Sequence, residues 1–150
     1  MRASLLLLAL FVVGCSTAPF DGDPPEALDI AAEDVADARA NWAASGAERY
    51  TMVQTRICFC SEDWRGPFDV RVEGGAVVNV EFDGDDVPTE RALSIDALLD
   101  LLDDALDRNA AIVRAAFDPD LGIPVSVQID YDVRIADEEV DYTVERYRAQ

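Results

Sequence analysis

The side chains best suited to chemistry are the sulfurs of Cys15, Cys58 and Cys60, in a chain that has no histidine. Cys58 and Cys60 flank Phe59. On a regular strand their side chains share a face with α-carbons about 6.6 Å apart, at the outer limit for a disulfide, and with β-carbons too distant to bridge. A bond between them therefore requires the chain to bend, which the loop-forming stretch Ser61 to Pro67 permits. So small a ring contributes only about 1.6 kcal/mol by chain entropy, so it is not a main source of stability. The open readings are a small structural bridge, two packed thiols, a thiol-exchange pair, a bond to another protein, or a thiolate metal site completed by Met52 or a carboxylate. Exchange requires a lowered thiol pKa, for which only Arg56 and Arg65 stand close in sequence, and two thiolates alone are too few ligands for zinc or Cu(I).

The lack of histidine removes Ser-His-Asp and Cys-His catalysis and the His-Glu-x-x-His zinc site. The chain also has no Gly-rich phosphate loop and no Gly-x-Ser-x-Gly elbow. Acid clusters at Asp83, Asp85 and Asp86, at Asp118 and Asp120, and at Asp130 and Asp132 carry the oxygen ligands Ca²⁺ prefers. None has the spacing of a twelve-residue calcium loop, and they read as solvated turns. No catalytic residues, metal site or cofactor are expected.

Cys15 has a different setting. Met1-Arg2 supplies positive charge, Leu5 to Val13 is an unbroken apolar run, and Val12-Val13-Gly14-Cys15 ends it, the pattern of a secretory signal. Nine apolar residues reach about 14 Å as a helix, roughly half of a hydrocarbon core, so the run is too short to span. The tetrapeptide resembles the bacterial lipobox, which implies a diacylglycerol on the Cys15 thiol, cleavage before it and acylation of the new amino group. Two or three acyl chains, at about 0.8 kcal/mol per buried methylene, hold a protein stably where one does not. By the same resemblance Ser16, a residue other than aspartate, favours the periplasmic face of the outer membrane if the cell is Gram-negative. The expected organisation is a lipoprotein signal peptide at 1–14, a lipidated N-terminus and flexible tether at 15–26 with Pro19, Gly22, Pro24 and Pro25, and one acidic domain at 27–150.

The 31 acids against 12 basic residues, all arginine, give a formal charge of −19, and loss of residues 1–14 removes Arg2 and no acid, leaving −20. Such a chain repels phosphodiester backbones and anionic headgroups, so no nucleic-acid partner is expected and the lipid must do the membrane holding. Possible partners are cations, basic surfaces, neutral ligands or another envelope protein.

These sulfurs need elements to position them. Asp23, Pro24 and Glu26 form a helix start, followed by a stripe of Leu28, Ala31, Val35, Ala38 and Trp42 that stops at Gly46. Tyr50 to Cys60, rich in β-branched and aromatic residues, reads as a strand. Phe68, Val70 and Val72 alternate with charges, turn at Gly74-Gly75 and alternate again through Phe82, which predicts a hairpin. Asp83 to Pro88 reads as a turn-rich exit. Ser94 caps a second helix with Ile95, Leu98, Leu99, Leu102 and Leu106 on one side and Asp96, Asp100, Asp103, Asp104 and Asp107 mostly on the other. Ile112 to Phe117, Val125 to Tyr131 and, less regularly, Asp141 to Tyr147 complete the strands. The expected fold is α+β, two helices packed on one face of a mainly antiparallel sheet of about six strands, with a hint of duplication in the layout.

Trp42, Tyr50, Cys58-Phe59-Cys60, Gly66-Pro67, Val70-Arg71-Val72 with Gly74-Gly75, Phe117-Asp118-Pro119, Leu121-Gly122-Ile123-Pro124 and Ile129-Asp130-Tyr131 together resemble an uncharacterised bacterial lipoprotein family, domain of unknown function 6174. The resemblance spans Asn41 to Tyr142. It departs at Ser61, where the family often has proline, and it implies no activity. The expected function is therefore a lipid-anchored, non-enzymatic binding domain of the cell envelope, with thiol-disulfide or metal handling by Cys58 and Cys60 as the alternative. Mass spectrometry of the native protein should find acyl groups on Cys15, and Cys15→Ser should move it from the membrane to the soluble fraction; an unmodified Cys15 would contradict the anchor.

Overall fold

The computed structural model describes residues 25–135 and 137–150; the signal, Cys15 and the Asp23-Pro24 helix start lie outside them. In chain order the elements are β1 (Leu28–Asp29), α1 (Ala32–Ser45), β2 (Arg49–Cys58), β3 (Phe68–Glu73), β4 (Ala76–Phe82), β5 (Asp85–Val87), α2 (Ile95–Asp107), β6 (Ile112–Phe117), β7 (Pro124–Asp130) and β8 (Glu139–Ala149). The eight strands form one antiparallel sheet in the order β1-β6-β7-β8-β2-β3-β4-β5. The fold is thus α+β with two helices, and the sheet has eight strands where about six were expected.

Both additional strands are short, and each has a physical reason. Leu28 and Asp29, expected within the first helix, pair with Ala115 and Arg114, and Arg114 Nε donates to Asp29 Oδ1 at 2.7 Å. This long-range pairing overrides the local helix signal, so Glu26 lies before β1 and α1 starts only at Ala32. The Ala31 N–H then donates to Asp34 Oδ2 at 2.7 Å, which satisfies one free amide of the new terminus. The expected exit at Asp83 to Pro88 is instead a hairpin: Asp83 and Gly84 take φ of 53° and 86°, the two-residue reversal that favours Asp-Gly, and Asp85–Val87 folds back on β4.

One face of the sheet carries the core. Tyr50, Met52, Phe68, Val70, Val80, Val127 and Ile129 meet Val35, Ala38 and Trp42 of α1 and Ile95, Leu98, Leu99 and Leu102 of α2. The acids of α2 do not all face water as expected. Arg39 of α1 donates to Asp100 at 2.9 Å and Asp103 at 2.7 Å, and Trp42 Nε1 donates to Asp96 at 3.2 Å, so the acidic flank forms the seam between the helices. Ser94 caps α2 as expected, its Oγ accepting from the Ala97 N–H.

Two polar groups of β2 set where α2 begins. Gln54 is fully buried, and its amide meets both backbone groups of Leu93, donating to the carbonyl at 3.0 Å and accepting from the N–H at 2.9 Å. The Ile95 N–H, free because it opens a helix, donates to the Tyr50 hydroxyl at 2.8 Å. Burial pushes the Tyr50 phenol well above its ordinary range, so it stays neutral. At the other end of the core Gly122, with φ 70°, passes so close to the Ala38 carbonyl that a β-carbon has no room.

The irregular last strand is explained by a β-bulge. Val53 faces Glu145 and Thr51 faces Arg148, so Met52 alone opposes both Arg146 and Tyr147. Arg146 absorbs the extra residue in the left-handed region, φ 50°. One added residue reverses the in-out phase of everything beyond it. Tyr147 therefore turns inward to Tyr50 and Trp42, with ring centroids 5.5 and 6.0 Å away, while Arg148 emerges on the opposite face. A second bulge sits at Val78, since Arg71 faces Asn79 and Val72 faces Val77.

Candidate functional site

Cys58 ends β2 and is bonded to Cys60, with α-carbons 5.3 Å apart, shorter than a straight strand allows. The chain bends at the pair and enters a 3-10 turn, Glu62–Trp64. Arg91 fixes this loop from across the fold: its guanidinium lies 5.4 Å from the Trp64 ring centroid, pairs with Asp63 at 3.0 Å and donates to the Asp63 carbonyl at 2.6 Å. A Ser61 hydrogen bond and the Arg91 charge hold the Asp63 carboxyl below its ordinary range. The Arg56 N–H donates to the Arg65 carbonyl at 2.7 Å, which returns the chain to β3. Gly66, φ 85°, is packed against Gln54 O and Phe68 N, leaving no space for a side chain.

This arrangement presents Phe59 outward with 82% of its surface exposed, beside Ile57 with 59% exposed. Cys58 pairs with Val140, so the loop between β7 and β8, with exposed Val133 and Ile135, leaves the sheet at the same end. Four exposed apolar side chains, Ile57, Phe59, Val133 and Ile135, thus belong to segments that leave the sheet at one end. Asp141 faces Ile57 on the open side of the sheet, and burial, with a smaller contribution from Glu139, raises its carboxyl pKa.

Of the sequence-derived candidates, the structure joins Cys58 and Cys60 and leaves Cys15 outside its described part. Bonded sulfurs offer no thiolate for a metal, and Met52, the suggested additional ligand, is buried in the core. Arg56, suggested as a thiol neighbour, stacks over the Tyr142 ring at 5.7 Å. Among the described residues no three His, Cys, Asp or Glu side chains converge to hold a metal ion. Three of the turn aspartates have local roles. Asp118 Oδ1 accepts from the Asp120 and Leu121 N–H groups, Asp132 binds Arg134, and Asp86 accepts from Asn79. Sequence reasoning missed Arg91 and Phe59's exposure; the exposed position of Phe59 follows once the neighbouring cysteines are bonded and the strand must end.

Among the described residues no helix is long and apolar enough to cross a membrane. The model of one protein family, described as a family of unknown function (DUF6174), matches residues 34–149. No curated protein and no solved structure matches the chain.

Asp141 gives a pH test of this end of the sheet. A carboxyl whose native pKa is raised binds more protons folded than unfolded, so its contribution to stability falls as pH rises from the unfolded value, about 3.9, through the native one. Asp141→Asn should therefore raise the melting temperature at pH 7 and leave it unchanged near pH 3. An equal effect at both pH values would show that the carboxylate charge is not responsible.

Proposed function

We propose that the chain, which belongs to this family of unknown function, is a lipid-anchored, non-enzymatic binding domain of the bacterial cell envelope that engages a protein partner through its disulfide-closed end. The observation that carries this reading is Phe59, an aromatic side chain held almost fully in water by the bond between its two neighbours. Exposed aromatics fixed in place lose little side-chain entropy on binding and are the usual anchors of protein interfaces. Ile57, Val133 and Ile135 are further exposed apolar side chains on segments at the same end of the sheet. A protein fits this surface better than a bilayer, because a body with charge near −20 is repelled by anionic headgroups. The signal-like N-terminus and Cys15 place the domain on the membrane in this reading, and the tether at 15–26 gives it reach.

The second reading is thiol-disulfide exchange, favoured by the position of the bridge at an exposed end where another protein's thiol could approach. It requires the bridge to open under cellular conditions. A bridge that stays closed in glutathione buffers poised near about −200 mV, assayed by free-thiol titration, removes it.

A photo-crosslinker at position 59 in intact cells should trap one discrete partner, whereas a crosslinker at exposed Val78 should not. Phe59→Ala should weaken co-purification of that partner by about tenfold or more, the scale of an interface anchor. Equal trapping at both positions, or loss of vesicle binding rather than partner binding in Phe59→Ala, would overturn the assignment.

A further inference from the structure

The face of the sheet opposite the helices is not flat. Between β8 and β4 it encloses an open cavity of about 480 Å³, flanked by the Arg146 and Val78 bulges. Bulges increase local strand twist and bend, which accounts for the concavity. Its floor is Val53, an outward-facing residue of β2 that is nevertheless only 6% exposed.

The charges around this floor are sorted by row. Across β8, β2, β3 and β4 the register aligns Arg148, Thr51, Arg71 and Asn79, and the Arg146 bulge adds a third guanidinium beside them. Two residues further along the strands, about 7 Å away, the next row is Glu145, Val53, Asp69 and Glu81. Asp69 and Glu81 face each other directly, and like charges in that position destabilise a sheet. A face designed only for water would interleave the signs. Among the described residues Arg146 and Arg148 have no salt bridge, although acids outnumber basic residues 31 to 12 in the chain. Among the described residues the one salt bridge of Arg71 is long, 3.5 Å, to Glu73 beyond the cavity.

We propose that this cavity is a binding site for a small zwitterion, a molecule joining a carboxylate or phosphodiester to an ammonium group. The guanidiniums of Arg71, Arg146 and Arg148 take the anionic end, with Thr51 between Arg148 and Arg71 and Asn79 beyond Arg71 as further hydrogen-bonding groups. Asp69 and Glu81 take the ammonium, which relieves their mutual repulsion, and Val53 meets the linking carbons. The charge of the whole chain decides between a zwitterion and a simple anion. A net charge of −19 repels an approaching anion, whereas a zwitterion has no net charge to repel and feels only the local rows. The site is independent of the disulfide end.

The test is calorimetric titration of the full mature chain in a non-ionic detergent with glycerophosphoethanolamine, whose phosphodiester and ammonium charges cancel, and with diglycine, alongside inorganic phosphate and ethylammonium. The expected result is saturable binding of at least one zwitterion, about tenfold or more tighter than either single-charge compound. Binding of glycerophosphoethanolamine identifies the anionic end as a phosphodiester, and binding of diglycine as a carboxylate. Arg148→Gln and Glu81→Gln should each weaken binding about tenfold, with the melting temperature unchanged in the first and not lowered in the second, where the repulsion of Asp69 is removed. Phosphate or ethylammonium binding as tightly as the zwitterions, binding that survives both substitutions, or no saturable binding of either zwitterion would overturn the proposal.

Discussion

A single extra residue in β8 decides how the two faces of this protein differ. With unbroken pairing from Val53 and Glu145 onward, Arg146 would point into the core and Tyr147 into water. The bulge exchanges them. Tyr147 then completes a cluster with Trp42 and Tyr50, edge-on to Trp42 and tilted against Tyr50, arrangements that aromatic quadrupoles favour. Tyr50 in turn accepts the first free amide of α2. The same residue therefore links the last strand, the first helix and the start of the second, and it frees Arg146 and Arg148 for the opposite face.

The sheet is built from two similar parts. Each has a helix followed by a three-stranded meander, α1 with β2, β3 and β4, and α2 with β6, β7 and β8, and the parts join where β8 pairs with β2. This matches the hint of duplication in the linear layout. The helices meet through Arg39 and the α2 aspartates, so part of the chain's excess of acid is paired along a partly exposed seam. The disulfide lies at the far end of the central strand pair, where the bend after Cys58 ends the ladder and turns apolar side chains outward. The β2–β8 seam thus carries the disulfide-closed turn at its end and the arginine-lined cavity on its open face.

Much of the framework was legible because it depends on local chemistry. The Gly74-Gly75 hairpin, the Ser94 cap, the Gly46 stop and the alternating run of β7 each follow from a short stretch of residues. The first helix was read too early because Asp23 to Glu26 is a valid start that loses to pairing with a strand far along the chain. The Asp83-Gly84 hairpin could have been read, since Asp-Gly between apolar residues is a recognised turn signal. The role of Gln54 could not, because its two partners lie on Leu93, distant in sequence. Nor could the Arg146 bulge, whose only trace was imperfect alternation between Asp141 and Tyr147. Of the candidate site, sequence singled out the cysteine pair but not its surroundings. The arginine-lined cavity depends entirely on cross-strand register and had no linear signature.

The register itself is directly measurable. Cross-strand Hα–Hα nuclear Overhauser contacts between β2 and β8 should connect Val53 with Glu145 and Thr51 with Arg148, leaving Met52 opposite two residues. A continuous ladder that instead connects Thr51 with Tyr147 would place Tyr147 on the open face, and would contradict both the aromatic cluster and the sorted charges.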